Sequence, residues 1–290
     1  MLKFDLSPTQ RKQDERPLGR TLAFRGISGL KGSMEEELRK LISENFLDDF
    51  ADAIVAQSKP AIGMVKEKTR PHHTGASQLG GVPDVAPGFV WPAYNDDPLA
   101  FVAQINFSEL KEADTDRVFP DTGLLYLFCS VEEWPTLDDP NDNDKFRVIY
   151  QPAVENLSVA IPPADLRKVN VFPAIPIGFR RFLSIPDFYS AAGKAMGIGS
   201  NWSNEYSGII CAPGGVDVSD DTGKHQLLGW PAAIQEEMAV GDGRLLLAQI
   251  DTDGDLGIAW GGSGTLYFWI TEEDLKACRF GNARAGVQCC

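Results

Sequence analysis

With 290 residues, 43% of them hydrophobic and 23% charged, the chain has the length and composition of a globular protein with a sizeable core. Its 41 acidic and 27 basic residues give a net charge of −14, which repels phosphate backbones and argues against nucleic-acid binding. No apolar run approaches the ~20 residues of a membrane helix. The polar opening from Met1 to Gly19 and five cysteines without C-x-x-C spacing lead to an expected cytoplasmic, reducing setting.

Residues 1–32 lack a convincing period and are expected to be a partly ordered arm; 33–290 are expected to be a single domain. Ser33 and Glu36 make a capping box. Leu38, Leu41, Ile42 and Phe46 then recur at helical spacing, and a second short helix fits 47–57. A strand is predicted over 61–66. Residues 69–98 are rich in Gly and Pro and read as irregular. The next strand, 99–107, should place Phe101, Ala103 and Ile105 on one face and Val102, Gln104 and Asn106 on the other. Residues 123–130 are near-continuously apolar, which suits a strand buried on both faces. An acidic turn at 138–144 precedes strands at 146–150 and 157–161. The stretch 171–185, broken by Pro173 and Pro176, reads as an edge strand or extended connection. A helix over 186–196, a loop over 197–214 that contains Trp202, and strands at 245–250 and 265–270 follow. Thr271 caps a final helical turn, with Asp274 at its third position.

Within this order one unit occurs twice. Leu79-Gly80-Gly81-Val82-Pro83, Phe101–Asn106 and Gly123–Phe128 match Leu228-Gly229-Trp230-Pro231, Leu247–Asp251 and Gly264–Trp269. Three blocks in one order, at nearly constant separation, predict internal repeats near 79–130 and 227–275. No long crossover helix fits between the strands, so the sheets should be antiparallel. The expected fold is mainly β (α+β at the margins): duplicated antiparallel β units in a roll- or barrel-like core, with N-terminal helices.

The run Ser77-Gln78-Leu79-Gly80-Gly81-Val82-Pro83, Trp91-Pro92 and Pro98–Asn106, with Leu227–Pro231, Gln235, Leu246–Ile250 and Trp260-Gly261 later, resembles the YwqG-like family of bacterial proteins of unknown function. The resemblance spans about Ala61 to Phe280. It implies a mainly β, roll-like fold with N-terminal helices and no known activity. The family's last signature carries an Asp after Trp-Gly, where this chain has Gly262.

Gln104 and Gln249 hold the same place in the two copies, each a polar amide in an apolar strand. A buried amide must find partners for its donors and acceptor. The pair either faces a ligand across a pseudo-twofold pocket or satisfies backbone where each Gly loop crosses its strand. Trp91 and Trp230 offer stacking faces, Tyr126 stands in the third block, and His225 is the group nearby that titrates near neutral pH. These six residues are the candidate ligand-binding set. The other histidines, His72 and His73, are neighbours that alternate in direction, so no metal site is expected. Asp251–Asp255 opens like a calcium loop but has Leu256 and Gly262 where Gly and Glu are needed, which leaves a turn. No nucleophile elbow or phosphate loop is present, and no cofactor is expected. The first functional reading is a non-enzymatic binding module, with a cleft between the repeats for a small molecule or a protein. The alternatives are a hydrolase-like enzyme with a site near His225 and an acidic, immunity-type protein partner.

Overall fold

The computed structural model describes residues 34–137, 139–210, 224–235 and 243–289. The expected arm, the Ser33 cap and Cys290 lie outside them. Helices α1 (Met34–Glu44) and α2 (Ala51–Gln57) bury Leu38, Ile42 and Ile54 in a small apolar cluster of their own, together with Leu47 and Tyr206. Phe46 does not join that face. It takes φ +60° just past α1 and is exposed, and the Leu47 N–H donates back to the Ile42 carbonyl at 3.0 Å. This left-handed helix end seats Leu47 in the cluster in place of Phe46.

The first strands are β1 (Lys59–Lys66), β2 (Gln78–Leu79), β3 (Asp84–Val85), β4 (Ala93–Tyr94), β5 (Asp97–Pro98), β6 (Ala100–Asn106) and β7 (Leu124–Cys129). They are followed by β8 (Phe146–Gln151), β9 (Ser158–Val159), β10 (Ile175–Ser184), β11 (Gln226–Leu227), β12 (Arg244–Asp251), β13 (Thr265–Thr271) and β14 (Arg284–Gln288). Helices α3 (Ala191–Ala195) and α4 (Ser203–Ile210) lie between β10 and β11, and α5 (Glu272–Lys276) follows β13. Part of the stretch expected as a loop around Trp202 is therefore helical: Tyr206 and Ile209 give α4 an apolar side that packs with α1.

Ten strands form one sheet in the order β14-β13-β12-β11-β1-β10-β2-β6-β7-β8, with every neighbouring pair antiparallel. The order has an internal symmetry. From the centre outward, β10-β2-β6-β7-β8 matches β1-β11-β12-β13-β14, and β1 and β10 join the halves from Lys59↔Ser184 to Lys66↔Ile177. The sheet curls until it is nearly a closed barrel. Phe146 of β8 meets Phe268 of β13, ring centroids 6.2 Å apart, and one core draws on both ends of the sheet. Loops cover the two edges: Phe280 packs at a tilt against Tyr150 of β8, and the Val287 N–H of β14 donates to the Pro135 carbonyl.

Two expectations change here. The segment 171–185 contains a central strand, not an edge: β10 lies between β1 and β2. Its prolines allow this because Pro173 precedes the strand and Pro176 falls before the first pair with β1, Ile177↔Lys66. In β6 the simple alternation fails. A bulge between Phe101 and Ala103 turns Val102, Ala103 and Ile105 into the barrel core and puts Phe101 with Tyr126 and Phe128 on the other face. Strand β12 carries the same irregularity between Leu246 and Ala248, with the same result.

Candidate functional site

The bulge sets the next residue but one, Gln104 or Gln249, on the face away from the barrel core, opposite Tyr126 or Tyr267. Each amide is fully buried and grips the loop that follows the neighbouring short strand. Gln104 Oε1 accepts from the Asp84 N–H at 2.7 Å, and its Nε2 donates to the Ala76 carbonyl at 2.7 Å. Gln249 Oε1 accepts from the Ala232 N–H at 2.9 Å, and its Nε2 donates to the Lys224 carbonyl at 2.8 Å. Tyr126 and Tyr267 close the clamps by donating to the Asp84 and Ala232 carbonyls at 2.6 and 2.7 Å. Burial pushes both phenols well above the ordinary tyrosine range. The gripped loops share a backbone: Gly80 and Gly81 have φ +61° and +74°, and Leu228 and Gly229 have +59° and +75°. Gln78 reaches Val82 O in the first loop as Gln226 reaches Trp230 O in the second, each at 2.8 Å.

The halves part at the residue before these glutamines. In the first, Ser77 Oγ accepts the Asn106 N–H at 2.8 Å; in the second, His225 Nδ1 accepts the Asp251 N–H at 3.2 Å. With Nδ1 accepting, the His225 proton sits on Nε2 and is donated to Asp253 Oδ2 at 3.0 Å. Lys66 Nζ lies 2.6 Å from the same oxygen and 2.7 Å from Asp255 Oδ2. Burial alone would raise the Asp253 carboxyl, but the bonds from His225 and Lys66 outweigh it and hold the group well below the ordinary carboxylate range. Both ring nitrogens of His225 are occupied. Among the described residues no group of three His, Cys, Asp or Glu could hold a metal ion.

An apolar recess lies beside the second loop. A cavity of about 400 Å³ opens between β1, the Leu228–Pro231 loop, the start of β12 and a segment from Ala113 to Val118. Trp230, Trp269, Leu245, Leu246, Ile62 and Val118 supply its apolar wall, and Lys59, Arg181 and Arg244 its cations. Its acids are largely committed. Asp116 pairs with Arg181, Asp114 accepts the N–H groups of Val118 and Phe119, and Asp187 caps Tyr189. Trp230 is held by its indole N–H, which donates to the Gln57 carbonyl at 2.7 Å, and by the Lys59 ammonium, 3.5 Å from the ring centroid. Desolvation by the protein packed around that amine lowers the Lys59 pKa.

Of the six candidate residues, Trp230 alone borders the cavity. Gln104, Gln249 and Tyr126 are loop clamps, and His225 belongs to the Asp253–Lys66 cluster. Trp91 pins its own loop, donating to the Leu99 carbonyl at 2.9 Å and packing edge-on to Phe128. Sequence reasoning missed Lys59 and Arg244, which in the linear chain are ordinary cations at strand starts. Trp269 was visible as the last aromatic of the third matched block, where the first copy has Phe128. Gly262, at the family's Asp position, has φ +116° and open space around it, a conformation that favours glycine.

The family model described as Domain of unknown function (DUF1963) matches residues 77–289. The match covers both sets of motifs that carry the YwqG-like resemblance. A comparison with curated proteins finds no match.

Proposed function

The chain belongs to the DUF1963 family of domains of unknown function, and from the walls of its cavity we propose that it is a binding module for a small molecule. One observation carries the reading: a recess of about 400 Å³ whose wall combines two indoles and aliphatic side chains with a few charged groups. Pockets of this size and lining suit ligands of a few rings, and a few polar groups then fix orientation. We also infer that residues 33–290 act as one domain that arose by duplication, a reading supported by the matched bonds of Gln104 and Gln249. In this reading the clamps serve to hold the loops, and the second loop presents Trp230 to the ligand. The test uses two related fluorophores, neutral N-phenyl-1-naphthylamine and anionic 8-anilinonaphthalene-1-sulfonate. At least one should bind saturably at one site per chain, and Ala233→Trp, which fills the cavity wall, should abolish that binding while the melting transition is retained. Binding of neither probe, or binding that survives Ala233→Trp, would reject the reading.

A further inference from the structure

Among the described residues, buried side-chain polar atoms that lack a partner are few, and two belong to residues of the cavity wall: Arg244 Nη1 and Trp269 Nε1. Both are donors. Arg244 has no ion-pair partner among the described residues, and neither does Lys59, whose ammonium has only the Trp230 ring. The acids of the wall are Asp114, Asp116 and Asp187, of which Asp187 accepts the Tyr189 N–H. Asp116 is neutralised by Arg181, and both oxygens of Asp114 accept backbone N–H groups. A buried donor without an acceptor costs free energy, more so on a charged group; these two atoms are covered by protein, so what the recess itself presents is the charge of Lys59 and Arg244. With a net charge of −14 the chain has more acids than bases, yet among the described residues none pairs with Lys59 or Arg244.

We propose that the ligand of this cavity is a small organic anion with a flat apolar body: the body lies against Trp230 and Trp269, and Lys59 and Arg244 receive the anionic group. This rests on the cavity being the binding site and adds the chemical class of the ligand. A cation beside Lys59 and Arg244 is disfavoured because both would repel it, and of the wall's acids Asp116 is paired with Arg181 and Asp114 holds two backbone N–H groups, which leaves Asp187 with one. A neutral apolar molecule would fill the space and give Lys59 and Arg244 no counter-charge. Arg suits the part, since its planar fork meets carboxylate, sulfonate or phosphate oxygens in pairs.

The two fluorophores separate this inference from the reading beneath it. The anionic 8-anilinonaphthalene-1-sulfonate should bind about tenfold or more tightly than neutral N-phenyl-1-naphthylamine. Lys59→Met and Arg244→Gln should each erase most of that margin between the anionic and the neutral probe. In the unaltered chain, raising the salt concentration should weaken the anionic probe and not the neutral one, a check that needs no variant to fold. Equal affinities for the two probes, both blocked by Ala233→Trp, would overturn the anion inference and leave the cavity reading in place. Binding of neither would overturn both.

Discussion

The two halves of the sheet hold the same clamp around different loops. In the first half the loop is sealed. A Cβ on Gly80 would lie 2.3 Å from the Pro173 carbonyl, Asp84 is fully buried, and Phe89, Trp91 and Phe128 pack over Tyr126. In the second half Leu228 takes the place of Gly80, Trp230 that of Val82 and Ala232 that of Asp84, and the loop borders a cavity. The glutamine and tyrosine bonds are kept almost atom for atom. A buried amide gripping backbone fixes the path of a loop without specifying what its side chains do. One half can therefore close over its own aromatics while the other presents an indole to open space.

Six substitutions, in four tests, break or sharpen that contrast. The largest effect is expected at Gly80, where alanine brings both a left-handed φ and a collision with backbone; Gly80→Ala should cost about 4 kcal/mol in urea unfolding. Leucine is accommodated at the same place in the second half, so a cost below that of a surface substitution would show that the first loop is not sealed. Next is the ion cluster that only the second half owns. Asp253→Asn removes a buried charge from Lys66 and should cost about 3 kcal/mol at pH 7. The sign follows from a folded-state pKa held below the ordinary 3.8: the contribution is complete above that value and is lost as pH falls through it and below. The gap between wild type and variant should therefore narrow from pH 5 to pH 2; a gap constant with pH would remove the electrostatic account.

Third, Gln104→Ala should cost about 2–3 kcal/mol and Gln249→Ala about 1–2 kcal/mol. Gln104 also reaches Asp84 Oδ2 at 3.2 Å, and the second half has alanine there. A reversed order, measured by denaturant unfolding, would contradict the view that the first clamp is the more committed. The smallest effect on stability is expected from the loop indoles. Trp91→Phe and Trp230→Phe each remove one indole bond to a carbonyl and should each cost about 1 kcal/mol. Fluorophore titration should then separate them, since only the Trp230 variant should change probe affinity.

Much of this was written along the chain. The mainly β class and the N-terminal helices follow from apolar periods, because local patterns report which side of an element is buried. The burial of Gln104 and Gln249 was likewise foreseeable, since an amide in an apolar strand must be satisfied by something close. Tertiary structure decided the rest. The bulges at Val102 and Leu247 shift the faces by one residue, and nothing in an unbroken apolar run marks where a ladder slips. Strand β10 lies at the centre because its ladder to β1 avoids its prolines, a matter of register between segments far apart in sequence. The cavity is the clearest case. Lys59, Val118, Arg181, Trp230, Arg244 and Trp269 share no motif or spacing, and they meet because the curled sheet and one loop bring distant segments to the same wall. A clamp is a local arrangement that sequence can repeat; a recess is space left between elements, and only their packing determines it.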